Sequence, residues 1–123
     1  MHSHTDPAFH DCIELCWSCR DTCQSTLFTY CIEKGGHHVE PGHVRLMMDC
    51  IQMCQTSADF MTRNSQLHAL ICAACAAVCE ACAKSCDAMD DAEMKKCAEI
   101  CRTCAQSCRE MGERAGLTAH HHG

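Results

Sequence analysis

The chain has 123 residues, a formal charge of −6 and 16 cysteines, about one residue in eight. That length holds one domain around one core, and the acidic balance offers no Lys/Arg stripe to neutralise phosphates, which excludes a nucleic-acid binder. Leu, Ile, Val and Phe make only 17 residues, below the ~20% under which disorder is suspected, whereas cysteine exceeds the ~8–10% that marks a cysteine framework. Either the chain builds no ordinary apolar core, or cysteine is the core.

Four helices are expected in chain order, at about 7–34, 41–63, 66–87 and 91–115. Asp6-Pro7 offers an N-cap and a proline at N1, and Gly35-Gly36 a stop. Glu40-Pro41-Gly42 opens the second helix, which ends near Asn64. Ser65 can cap the third, which ends near Asp87. Asp90 with Glu93 three residues later reads as a capping box for the fourth, ending at Gly112 or Gly116. Prolines fall only at helix starts and no strand-like alternation competes. Long helices with short connections give the fold class: all-α, an antiparallel up-down-up-down four-helix bundle forming a single domain over 1–123.

The cysteines keep helical register. The first helix carries Cys12, Cys16, Cys19 and Cys23, spaced 4-3-4, with Cys31 further on. The second carries His43, Met47, Cys50 and Cys54, again 4-3-4, with Met61 seven residues later. The third runs His68, Cys72, Cys75, Cys79, Cys82, Cys86 and Met89, and the fourth Met94, Cys97, Cys101, Cys104, Cys108 and Met111. These are the a and d positions that a bundle ordinarily fills with Leu and Ile. Each helix therefore turns a ladder of sulfur toward the bundle axis.

No uninterrupted apolar run approaches ~18 residues, so no membrane span is expected. Met1 to Pro7 shows neither the basic nor the apolar region of a secretory signal. A cytoplasmic location is the expectation, with thiols kept reduced. Cysteine as a mere small hydrophobe would leave Leu's exclusion from these positions unexplained. Disulfides within a helix would be strained, since i, i+3 and i, i+4 Cβ atoms lie ~5–6 Å apart and a bridge needs ~3.5–4.5 Å. Metal binding remains.

The chemistry of the donors narrows the metal. The Cys-x-x-Cys-x-x-Cys-x-x-x-Cys-Pro run of an iron–sulfur protein is absent, and structural zinc uses isolated groups of four ligands. A Zn²⁺ held by four thiolates carries net −2, and stacking such sites along a dry axis is costly. Cu⁺ ions bridged by shared thiolates approach one ion per cysteine and a neutral core, and soft thiolate and thioether ligands select Cu(I). The expected cargo is multiple Cu(I) ions per chain, about 16 if each thiol accounts for one.

The ladders Cys12/Cys16/Cys19/Cys23, Cys72/Cys75/Cys79/Cys82/Cys86 and Cys97/Cys101/Cys104/Cys108, on four helices with no leader, resemble the bacterial cytosolic copper-storage proteins (the Csp family). The resemblance covers nearly the whole chain and is thinnest on the second helix, which has only Cys50 and Cys54. It implies a homotetramer of four-helix bundles, each holding many Cu(I) ions, with His and Met near one open end.

An antiparallel bundle gathers Tyr30, Cys31, His37, His38, His43, Met47, Met89 and Met94 at one end, and Phe9, His10, Met61, His68 and Met111 at the other. His43 and Met47 lie on a seam that is otherwise thiol, so they join the sixteen cysteines as expected ligands. Copper is expected to pass through weak His/Met sites at the first end, while Phe9 plugs the second. His2, His4 and His120-His121-His122 are expected to be solvated. With Cys12 as origin, Trp17 and Phe28 fall at about 140° and 160° on the helical wheel, an outer face suited to an oligomer contact.

The reading is a cytosolic Cu(I) store that supplies or detoxifies, with a copper chaperone or cuproenzyme as its acceptor. No Ser/His/Asp set, phosphate loop or carboxylate pair suggests an enzyme. The alternatives are a zinc/cadmium thiolate buffer of metallothionein type and a thiol- or copper-dependent redox enzyme.

Overall fold

Caps, prolines and glycines divide the chain as the sequence suggests. A computed structural model describes residues 4–120, with side chains described as far as Glu113. His2, His121, His122 and the His120 side chain therefore lie outside the described residues. Asp6 accepts the Ala8 N–H at 3.0 Å and Pro7 heads a 3₁₀ turn, Pro7–Phe9, that leads into α1, His10–Ser25. The chain continues helically through a π-helical stretch, Thr26–Cys31, and one α-turn, Ile32–Lys34. Gly35 stops it at φ 70°, ψ −163°, backbone angles essentially reserved for glycine.

After a 3₁₀ turn, Gly36–Val39, Pro41 occupies the first position of α2, Pro41–Thr62. The Ser65 hydroxyl accepts the Leu67 N–H at 3.1 Å ahead of α3, His68–Asp87, which starts two residues later than expected. The fourth helix, α4, spans Ala92–His120. Two expectations about α4 are corrected. Its cap is Asp91, not Asp90: the Asp91 carboxylate accepts the Met94 N–H at 2.8 Å, so the residue three positions on is Met94 rather than Glu93. The helix also runs through Gly112 and Gly116 instead of ending there, an interior glycine costing only about 1 kcal/mol. Gly112 has a packing reason, since a Cβ there would lie 3.3 Å from the Ala73 Cβ and backbone N of α3.

Each helix packs on its sequence neighbours, and α1 closes the ring against α4, which is the up-down-up-down arrangement. No strand occurs among the described residues. All sixteen cysteines are buried, none more than 1% exposed, with Leu27, Met47, Met61 and Met94 beside them in one continuous core. Helix α3 is long and apolar enough to cross a membrane by composition, with mean hydropathy 1.6. Its hydropathy comes from alanines, from Leu70, Ile71 and Val78, and from five cysteines that are buried in the core. Trp17 and Phe28 are 42% and 49% exposed, on the outer face as expected, and Ile32 is 51% exposed as well.

The π-helical stretch settles a register problem the sequence posed. A 4-3 repeat continued from Cys23 reaches position 30, and Cys31 lies one residue beyond it. A π-turn accommodates one extra residue. The result is that Leu27 and Cys31 are buried while Tyr30 is only partly so. The Thr29 hydroxyl donates to the Ser25 carbonyl at 2.6 Å, giving that acceptor a partner where the α-helical ladder is interrupted.

Candidate metal centre

The seam residues of four helices bring their Sγ atoms into mutual contact along the axis. Inter-helix pairs include Cys16–Cys108 and Cys23–Cys101 at 3.5 Å, Cys54–Cys79 at 3.6 Å, and Cys19–Cys50 at 3.7 Å. Four sets of four thiols have all their sulfurs within 4.8 Å of one another: Cys16/Cys75/Cys104/Cys108, Cys54/Cys75/Cys79/Cys104, Cys19/Cys50/Cys54/Cys79 and Cys19/Cys23/Cys50/Cys101. In that order, each set shares two thiols with the next. The array is thus five rungs of two thiols, and any two adjacent rungs make a tetrathiol group.

The other six thiols flank this array. Cys12 Sγ lies 3.7 Å from Cys108 Sγ, and Cys72 meets the Ser57 hydroxyl at 3.6 Å. Toward the opposite end, Cys97 Sγ is 3.7 Å from Cys23 Sγ, with Cys82 and Cys86 fully buried in the same core. Cys31 lies at the mouth, 3.7 Å from Met94 Sδ and 3.9 Å from His43 Nε2.

His43 is buried, and its Nδ1 meets the Ser85 hydroxyl at 2.7 Å, leaving Nε2 on the Cys31 side. That is the outer partner a ligating imidazole ordinarily has. Burial, and then His38 nearby, lowers the His43 pKa and keeps the ring neutral. Met47 is fully buried in the same core. His38 does not reach the thiols; it pairs with Asp91 at 2.6 Å and sets its ring edge-on to Tyr30. His37 points to solvent and pairs with Glu40. At the other end Phe9 covers His68, ring centroids 4.6 Å apart, above buried Met61.

Two buried residues of this site escaped sequence reading. Met94 was placed at the mouth but not among the ligands, although its contact with Cys31 makes it as good a candidate as Met47. Ser57 continues the 4-3-4 spacing of α2 after Cys54, and that spacing was the available signal.

Burial raises the pKa of the thiols, and their mutual hydrogen bonds redistribute the effect. Donation from Cys108 and Cys16 holds Cys12 low, while its hydrogen bonds with Cys104, Cys12 and Cys16 push Cys108 up. One thiolate is therefore solvated by its neighbours' S–H groups, so the array can shed part of its protons without exposing bare buried charges. Cys31 lacks such thiol donors: burial first, then Cys97, Asp91 and Cys82, raise it to about 11.

The family model described as copper storage protein (Csp) matches residues 5–113. The chain belongs to the copper storage protein family. No curated protein matches it. Among solved structures, a Nitrosospira multiformis protein is 44% identical with a TM-score of 0.83, over 89% of this chain and 98% of that one. The Cu(I)-bound copper storage protein BsCsp3 is 35% identical with a TM-score of 0.80, and apo copper storage protein 3 from Bacillus subtilis is 38% identical with a TM-score of 0.77. Both comparisons cover 85% of this chain and 98% of the other. Membership of the Csp family rests on the whole bundle, and the thiol ladder is the part of it that carries chemistry.

Proposed function

We propose that this Csp-family protein stores many Cu(I) ions along the axis of one four-helix-bundle domain spanning the chain. The ligands are Cys12, Cys16, Cys19, Cys23, Cys31, Cys50, Cys54, Cys72, Cys75, Cys79, Cys82, Cys86, Cys97, Cys101, Cys104 and Cys108, with His43 and Met47 at the mouth. The observation that carries the reading is the sharing of thiols between adjacent tetrathiol groups. Zn²⁺ in two tetrahedra with Zn–S of ~2.3 Å and a common edge would sit ~2.7 Å from its neighbour. Two dications that close repel by about 25 kcal/mol at an effective dielectric constant of 20. Monovalent copper reduces that repulsion fourfold, and shared thiolates bring the core close to neutral. The Cu(I)-bound state of BsCsp3 supports the same choice of metal.

Loading displaces thiol protons, so affinity weakens as the pH is lowered. The protein acts as a cytoplasmic store, not a catalyst, and hands copper to a chaperone or cuproenzyme. The exposed Trp17 and Phe28 offer a contact face for the homotetramer that the family resemblance implies. Anaerobic titration of the reduced protein with Cu(I) and with Zn(II), each against a competing chelator, tests the reading. Saturation near one Cu(I) per thiol supports it, and saturation near four Zn(II) with little preference for copper overturns it.

A further inference from the structure

Sulfur continues past the tetrathiol sets on the Phe9 side of the bundle. Cys12 Sγ lies 3.7 Å from Cys108 Sγ, and the Ser57 hydroxyl lies 4.0 Å from Cys108 Sγ and 3.6 Å from Cys72 Sγ. One residue from each helix therefore stands at that level. A step of three or four residues outward along each helix, on the same face, reaches Phe9, Met61, His68 and Met111. The Phe9 and His68 ring centroids are 4.6 Å apart, so these steps end in a common layer. Met61 is 0% exposed, and Met111 packs against the same core.

A bundle ordinarily finishes such seams with Leu or Ile. Here three residues of the four carry imidazole or thioether, directly outside the Cys12 and Cys72 thiols. Methionine loses more rotamer freedom on burial than leucine does, so packing alone does not favour it twice in one layer.

His68 is already set to ligate. Its Nδ1 donates to the Ser65 carbonyl at 2.9 Å. A carbonyl only accepts, so in the neutral ring Nε2 carries the free lone pair. Ligating imidazoles are ordinarily tethered through their other nitrogen, and His43 is likewise held at Nδ1, by the Ser85 hydroxyl at 2.7 Å. Imidazole suits copper, and thioether with thiolate selects Cu(I). Imidazole and thioether are both neutral, so a thiolate must balance the charge of the ion. His68 and Cys72 are four residues apart on one face of α3, which sets that thiolate beside the imidazole.

We propose that His68 Nε2, the Met61 thioether and the Cys72 thiolate bind one Cu(I) beneath Phe9, a mixed nitrogen–sulfur site distinct from the all-thiol sets. The inference rests on the Cu(I)-storage reading.

The test begins with the wild type, reduced and anaerobic, titrated with Cu(I) and followed by long-range ¹H–¹⁵N NMR of the histidine rings and ¹³C NMR of the methionine methyls. The His68 Nε2 signal is expected to move strongly while Nδ1, held by Ser65, moves little. The Met61 methyl is expected to shift at the same Cu(I) equivalent. A His68 Nε2 signal unchanged at saturation, or a Met61 methyl that shifts at a different equivalent, would overturn the proposal. The second arm counts bound Cu(I) in His68→Gln, Met61→Leu and the double variant, each shown by circular dichroism to be folded. Each single variant is expected to hold one Cu(I) fewer than the wild type, and the double variant also one fewer, because one ion is lost. Full capacity in both single variants, or a loss of two in the double variant, would overturn it as well. Failure of the wild type to bind near one Cu(I) per thiol would instead overturn the storage reading.

Discussion

Replacing Cys50 with Ala, with Cys16→Ala as its companion, separates shared-thiolate copper from discrete tetrahedral sites. Cys50 belongs to two of the four tetrathiol sets and Cys16 to one. Its sulfur lies 3.7 Å from those of Cys19 and Cys79, 3.9 Å from Cys23 and 4.0 Å from Cys101. If dications occupy these sets as separate tetrahedra, only sets with no common thiol can be filled together, and at most two qualify. Without Cys50 the two surviving sets share Cys75 and Cys104, so one ion remains and capacity in the array halves. Without Cys16 two sets with no common thiol survive, and capacity is unchanged.

Bridged Cu(I) behaves differently, because charge balance links ions to thiolates. Both variants then lose about one Cu(I) of about 16. Removing one buried sulfur costs of order 1 kcal/mol of apo-protein stability, so both variants remain folded. The assay is anaerobic titration of reduced protein against a chromophoric chelator, with metal-to-protein ratios measured after gel filtration. A loss of four or more Cu(I) in C50A, or a C16A variant that keeps full Cu(I) capacity while C50A does not, would refute the sharing argument.

Further outcomes follow from the same geometry. Burial raises Cys31 from 9.0 to about 11, so the stability it contributes is present below pH 9 and is lost as pH rises toward 11. Thermal melts of apo wild type between pH 8 and 10.5 should therefore fall more than those of Cys31→Ser. The His43 pKa is lowered, so its contribution is held above the unfolded value of 6.5 and lost as pH drops below it. Apo His43→Gln should lose less melting temperature than wild type between pH 7 and 5. Gly35→Ala forces a side chain onto glycine-only backbone angles and should cost about 1–3 kcal/mol by chemical denaturation, whereas Gly42, with nothing within 4 Å of a Cβ, should tolerate Ala at no loss. Because thiol packing and caps already build the helices, far-UV circular dichroism of the reduced apo-protein should show full helicity, and Cu(I) should add little.

Most of the bundle was legible because its signals are local. Pro7, Pro41, Gly35 and the 4-3 spacing of cysteine fix helix starts, one stop and the inward face, and the observed helices begin or end within two residues of most expectations. The errors arose where a local signal had a competitor. Asp90 and Asp91 are adjacent candidate caps, and the choice of Asp91 agrees with its pairing to His38 of the Gly36–Val39 turn. Gly112 looks like a stop in sequence, yet its missing Cβ lets α4 lie close against Ala73. His37 and His38 are neighbours in sequence but face different surroundings, which only the turn at Gly36–Val39 decides.

The shortage of large aliphatic residues is explained by sequence alone: sulfur occupies the seams, with the helical period fixing which side each cysteine faces. The period cannot say which thiols from different helices meet, because that depends on the axial offset of four packed rods. The tertiary structure supplies the offset, and with it the five rungs, three of them shared between sets, the hydroxyl of Ser57 at their end and the Cys31–His43–Met94 mouth. Cys31 illustrates the division best: its spacing from Cys23 is one residue out of phase, and only the π-turn, held within the packed bundle, returns it to the axis.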